Sequence, residues 1–179
     1  MEYETVSHDS LKPFVPVDAK ILILGSLPSV KSREENFYYA HPQNRFFKTL
    51  AKVFGENTPI LIEEKKLFLI KHKIALYDVI FQCDIVGSND ASIKNIVPAT
   101  EIIEKIIKEN DILAVFTTGK LASKLYKKYI GNDNIELPST SPANAFFSLE
   151  KLVEEYNVIT EFVKWKYRLK GWFYKRNKL

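Results

Sequence analysis

Four short apolar runs alternate along the chain with segments whose apolar residues recur at helical spacing. Lys20-Ile-Leu-Ile-Leu-Gly25 reads as a buried strand stopped by glycine, and Ile74-Ala-Leu-Tyr-Asp-Val-Ile80 as a second. Ile112-Leu-Ala-Val-Phe-Thr117 is a third strand and Ile135-Glu-Leu137 a short fourth. Between the first two, Phe46, Phe47, Leu50, Val53 and Phe54 fall on one helical face of a segment from Asn44 to Phe54, and a second helix is predicted over residues 60–72. Thr100 suits the N-cap of a helix running to about Asn110, with Glu101 and Glu104 in its first turns. A further helix is predicted over residues 120–129, and a long final one from Ser148 to about Lys170. The N-terminal segment, with Pro13 and Pro16, reads as an irregular lead-in.

Strands that are apolar throughout and alternate with helices imply a parallel sheet covered on both faces. The expected class is therefore α/β: a three-layer α/β/α arrangement around a short, mainly parallel four-stranded sheet. Ligands of such sheets bind beyond the carboxyl ends of the strands. The segments that follow the four strands should thus gather along one edge.

Composition narrows the setting. The 179 residues suit one domain, and 46% apolar residues suffice for a core. The single cysteine, Cys83, excludes an internal disulfide and any cysteine-ligated zinc or iron–sulfur site, so a reducing, cytoplasmic location is expected. No apolar run approaches the ~20 residues of a membrane helix, and the opening residues do not form a signal peptide. The net charge of +4 is uneven. Residues 164–179 carry seven basic residues and no acid, interleaved with Trp165, Tyr167, Trp172, Phe173 and Tyr174; the rest carries 19 basic against 22 acidic residues. This basic aromatic extension of the last helix suggests an anionic partner. The competing reading is a solvated amphipathic helix whose aromatics pack on the body.

The first post-strand loop, Gly25-Ser-Leu-Pro-Ser29, matches neither a dinucleotide fingerprint nor a P-loop nor a nucleophile elbow. Ser26 or Ser29 as a nucleophile with His41 as base would make a small hydrolase; turn formation is the plainer role. The next segment, Phe37-Tyr-Tyr-Ala-His-Pro-Gln-Asn-Arg-Phe-Phe47, sets three aromatics before a His-Pro turn and Asn44 at a helix start. Aromatics beside a cleft can sandwich a flat base, while Asn44 alone would pass for an N-cap. Asp78, ending the second strand, suits an acceptor for a ring N–H of a bound base or for neighbouring loop amides. Pro138-Ser-Thr-Ser-Pro-Ala-Asn-Ala145 is rich in small polar residues, which fits phosphate contacts or ordinary turns. His8, His41 and His72 lack metal-ligand spacing, so no metal is assigned.

Together these motifs resemble the uracil-DNA glycosylase superfamily, and most closely its DNA-deoxyinosine (hypoxanthine-DNA) glycosylase branch. The resemblance spans roughly residues 18–165. It rests on Gly25-Ser-Leu-Pro-Ser29 with Tyr39-Ala-His-Pro-Gln-Asn-Arg-Phe-Phe47, then on Leu76-Tyr-Asp-Val-Ile80, Gly87-Ser-Asn-Asp-Ala-Ser-Ile93 and Ser139-Thr-Ser-Pro-Ala-Asn-Ala145. Other branches place a water-activating Asp or Asn in the first loop, where this chain has Leu27, or Ser26 if the register moves by one. They also carry His or Asn where Ser141 stands. Both departures count against a preference for uracil.

The resemblance implies a monofunctional DNA repair enzyme, a hydrolase of base excision repair, that flips a deaminated base out of DNA and cuts its N-glycosidic bond. Hypoxanthine is the expected base. Asn44 would hold the attacking water. Gly25, Ser26, Leu27, Pro28, Tyr39 and Asp78 would bind the base, with Tyr39 stacking on it. Ser141, Pro142, Ala143, Asn144 and Ala145 would hold the DNA beside the lesion, and Ala145 or Phe146 would be the wedge. No cofactor, metal or membrane is implied, and the protein is expected to be a monomer whose partner is DNA containing a deaminated base. The alternatives are a uracil-preferring mismatch glycosylase and a catalytically silent nucleic-acid-binding module on the same fold.

Overall fold

The computed structural model describes residues 2–87 and 90–163. Ser88 and Asn89 of the Gly87–Ile93 motif, and the basic extension over residues 164–179, lie outside the described residues. The chain opens with β1 (Glu4–Ser7), then β2 (Ile21–Gly25), the short helix α1 (Val30–Glu34), α2 (Phe46–Phe54) and α3 (Ile62–Lys71). β3 (Ile74–Asp78), β4 (Ile80–Ile85) and β5 (Lys94–Pro98) follow, then α4 (Thr100–Glu109), β6 (Ala114–Thr118), α5 (Lys120–Tyr129), β7 (Asn134–Leu137), α6 (Leu149–Tyr156) and α7 (Ile159–Val163).

A four-stranded sheet, ordered β3-β2-β6-β7 and parallel at each pairing, forms the centre. Every residue of β2 and β3 is buried, so helices cover both faces, as their unbroken Ile and Leu runs require. α2 turns Phe46, Phe47, Leu50 and Ala51 inward and stops at Gly55, whose φ of +71° is the left-handed C-cap that glycine adopts without strain. The expected fold class is thus present.

Three expectations need correction. The apolar run from Ile74 to Ile80 is not one strand. Val79 interrupts it, donating its N–H to Gly25 O at 2.9 Å, and Ile80 begins β4 in a different sheet. That second sheet, ordered β1-β4-β5, is antiparallel, and it draws in the N-terminal segment read as irregular. The final helix is also broken. α6 ends at Tyr156, capped by Asn157, and α7 restarts at Ile159; Asn157 and the β-branched run Val158-Ile159-Thr160 are weak helix formers. In a smaller shift, Ala99 rather than Thr100 caps α4, and the Thr100 hydroxyl donates to Tyr129 O at 3.4 Å.

Candidate active site

The carboxyl ends of β2, β3 and β6 and the loop after β7 open onto one cavity of about 270 Å³. Gly25, Ser26, Leu27 and Pro28 line it from the first loop, Tyr39 and Asn44 from the second, and Asp78 from the end of β3. Ser141 and Ala143 reach it from the last loop, while Pro142, Asn144 and Ala145 lie off its lining.

The first loop owes its shape to the end of β3. Gly25 O and Ser26 O accept from Val79 N and Ile80 N at 2.9 and 3.0 Å. Among the described residues, the N–H groups of Ser26 and Leu27 find no protein acceptor, so two backbone donors remain for a ligand. Gly25 is required here by crowding: a Cβ on it would run into Asp78 Oδ1. Ser29 is spent on structure, since its Oγ accepts from Ser32 N and caps α1. His41 Nδ1 accepts from Gln43 N at 3.2 Å, and no serine–histidine pair is assembled among the described residues.

Tyr39 takes a left-handed backbone conformation, φ +52°, which costs a non-glycine residue on the order of 1 kcal/mol. Two contacts hold it there. Its ring stacks on Phe46, centroids 3.7 Å apart and planes 9° from parallel. Its hydroxyl meets Thr118 Oγ1 at 3.2 Å, and Thr118 in turn donates to Leu24 O. Burial and the nearby Asp78 carboxylate push the phenol well above its ordinary value, so it stays neutral.

Asn44 sits just before α2, yet it does more than cap. Its Oδ1 accepts from Phe46 N at 2.9 Å and from Thr140 Oγ1 at 3.0 Å. A backbone N–H can only be met by the amide oxygen, so the orientation of the side chain follows. Its Nδ2 is left without a protein acceptor among the described residues, on a residue that lines the cavity. Arg45 then ties this turn to the last loop. Its backbone N donates to Thr140 O, and its guanidinium donates to Phe147 O, Ser141 O and Asn144 O. Asn144, off the cavity, closes the same loop by donating to Ser139 O at 2.8 Å. Beyond it in the chain Phe146 stands 79% exposed, edge-on to Phe147.

Asp78 is only 4% exposed, so its carboxylate needs a partner inside the protein. That partner is His8, whose Nε2 lies 3.1 Å from Asp78 Oδ2. The other ring nitrogen, Nδ1, meets Leu11 O at 2.9 Å and must carry a proton to do so. Burial by itself lowers the His8 pKa; the hydrogen bond and charge of Asp78, with the Leu11 carbonyl, outweigh it and leave the value raised.

His8, Arg45, Thr140 and Thr118 were not picked out as site residues in the sequence. Arg45 and Thr140 sit inside the motifs that were. His8 stands seventy positions before Asp78, with no local pattern to mark it.

Comparison with known proteins agrees over most of the chain. The family model of the uracil DNA glycosylase superfamily matches residues 12–163. A hypoxanthine DNA glycosylase of Methanosarcina acetivorans is 34% identical over 136 residues, 73% of this chain and 84% of that protein. One from Methanosarcina barkeri is 36% identical over 84 residues, 46% of this chain and 53% of its own length. The solution NMR structure of a candidate uracil DNA glycosylase from Methanosarcina acetivorans superposes with a TM-score of 0.65 at 27% identity, covering 83% of this chain and 96% of that one.

Proposed function

The chain belongs to the uracil DNA glycosylase superfamily, and from that premise we propose that it is a monofunctional DNA glycosylase that releases a deaminated base, hypoxanthine first, from a flipped nucleotide. The observation that carries this reading is one cavity lined by Asn44, Tyr39, Asp78 and the first loop, whose Ser26 and Leu27 amides have no acceptor among the described residues. Both relatives reported above are named hypoxanthine DNA glycosylase, which supports the choice of base.

In this reading the extruded base stacks on the face of Tyr39 that Phe46 leaves open. Asp78 accepts a hydrogen bond from a ring N–H. Deamination turns a ring acceptor into that donor, in adenine to hypoxanthine as in cytosine to uracil, so a carboxylate selects the product over its parent. Extrusion costs a few kcal/mol, and least for a badly paired base. The C1′–N bond breaks as its electron pair passes to the base, leaving an oxocarbenium-like sugar. The amides of Ser26 and Leu27 stabilise the charge gathering on the base. A water bonded to Asn44 Nδ2 keeps a lone pair for C1′, forms the new C–O bond and releases the proton that the departing base takes up. Because Asn44 Oδ1 is already occupied twice, Asn44 orients this water rather than taking its proton. Phe146 fills the gap in the duplex, and the Ser139–Phe147 loop braces the backbone beside it.

The test is base release from end-labelled duplexes carrying one deoxyinosine or one deoxyuridine, with Asn44→Ala alongside. Alkali-sensitive cleavage at deoxyinosine, lost in the variant, is expected. Cleavage mainly at deoxyuridine would overturn the choice of base. Binding without cleavage of either would make the protein a silent nucleic-acid-binding module.

A further inference from the structure

We infer that His8 is a positioning residue for base recognition: held by the Leu11 carbonyl, it fixes the Asp78 carboxylate at 3.1 Å so that one oxygen is engaged and the other is left for the base. The inference rests on the reading of Asp78 as the group that meets the base. It adds a residue from outside residues 12–163, the stretch that matches the family.

The geometry leaves little freedom. His8 is 1% exposed, and its ring packs 4.6 Å from that of Tyr77 and 6.4 Å from that of Tyr38. Its backbone is pinned as well, with His8 N donating to Phe81 O at 2.9 Å on β4. Nδ1 donates to a carbonyl and Nε2 lies within ion-pair distance of a carboxylate, and together these partners favour the protonated ring over the neutral one. On the far side of the carboxylate, Oδ1 lies over Gly25, in space that any side chain there would take. His8 and Gly25 thus flank Asp78 on two sides and limit how far the carboxylate can swing.

If His8 loses its proton, one nitrogen turns a lone pair toward an oxygen lone pair. Asp78 then loses its counter-charge and is pushed from its place, and the base N–H loses its acceptor. Few other charged groups intervene. Tyr38, Tyr39 and Tyr77 face the pair as neutral phenols, Lys12 opposes protonation of His8, and Asp9 acts on Tyr77.

The experiment is single-turnover release of hypoxanthine between pH 6 and 9 by the full chain and by His8→Phe, His8→Gln, Asp78→Ala and His8→Phe/Asp78→Ala, with circular dichroism on each. His8→Phe keeps the ring packing and should lose roughly 10²-fold in rate, as misplaced catalytic groups do. His8→Gln restores a neutral donor at the Nε2 position. It should recover most of that loss and lack the fall in rate that the parent shows as pH rises through the raised His8 pKa. The double variant should be no slower than Asp78→Ala. The base N–H titrates alike in all variants, so only differences between profiles count. Parent-like rate and profile in His8→Phe, with Asp78→Ala slow, would overturn the role of His8 alone. Parent-like rate in Asp78→Ala would overturn the reading of Asp78 and this inference with it. If His8→Phe does not fold, the profile of His8→Gln decides, and an unchanged alkaline fall defeats the proposal.

Discussion

Thr140 donates its hydroxyl to Asn44 Oδ1 at 3.0 Å, joining the turn before α2 to the loop after β7. Thr140 is 1% exposed, so this bond does not compete with water. With Phe46 N on the same oxygen, the amide of Asn44 is locked with its nitrogen free among the described residues. Thr140→Val keeps the shape and removes the donor. It should lower the single-turnover rate about tenfold, against ~10²–10³-fold for Asn44→Ala, the scale of losing one polar group at a reacting centre. The double variant should match Asn44→Ala within error. A further drop in the double variant would show that Thr140 acts on substrate independently.

Arg45 is the strut of the last loop. Its guanidinium meets three carbonyls there, at Ser141, Asn144 and Phe147. Arg45→Met spares the apolar stem and strands those acceptors, each charged bond being worth ~1.5–3 kcal/mol. The melting temperature should fall, by roughly 2–4 °C for each kcal/mol lost. Affinity for abasic duplex should fall with it, because the loop carrying Phe146 loses its brace. A stable variant with normal affinity would show that the loop holds its form unaided.

Charge enters through the C-terminal residues. The seven basic residues of the segment 164–179 should supply sequence-independent attraction to phosphate. Each phosphate neutralised adds ~0.9 to the slope of log affinity against log salt on duplex DNA. A chain ending at Val163 should bind more weakly with a shallower slope, while release of hypoxanthine at saturating enzyme stays close to the parent. An unchanged slope in the folded truncation would remove this segment from the DNA contact.

Stability should carry the mark of the buried histidine. The unfolded chain titrates His8 near ~6.5, and the folded protein holds that proton more tightly. Protonated His8 therefore stabilises in full below that pH, and its contribution fades as pH rises through the raised folded-state value. Melting temperature should decline on the alkaline side, and His8→Gln should flatten the decline. Equal declines in both would assign the effect to other groups.

The parallel sheet could be read from the sequence because its strands are buried on both faces and so appear as unbroken apolar runs, Ile21 to Leu24 above all. The antiparallel sheet could not. Glu4–Ser7 and Lys94–Pro98 are short, carry few buried residues and show no long apolar run, and Glu4 finds its partner at Ile85. The break at Val79 was hidden for the opposite reason, since buried residues lie on both sides of it and periodicity cannot mark where one sheet hands over to the next. The site divides along the same line. Asn44, Tyr39 and Asp78 sit at strand and helix ends inside dense local motifs. The contacts that orient them, from Thr140, Arg45 and His8, cross 96 residues in one case and seventy in another, and composition carries no trace of such pairings.

β1 is held by β4 in the register Val6↔Cys83, and that pairing sets the order in which the molecule can become competent. The residues of β1 must wait for a strand made almost eighty positions later before they can settle. Until they do, the parallel sheet can form and the cavity can take its outline, but the carboxylate at its floor has no counter-charge. Long-range strand pairing of this kind is slow compared with local helix formation. The segment of β1 and His8, made well before its partners, is thus the piece that finishes the site, and a bulky insertion beside it acts on assembly of the pocket rather than on a remote tail.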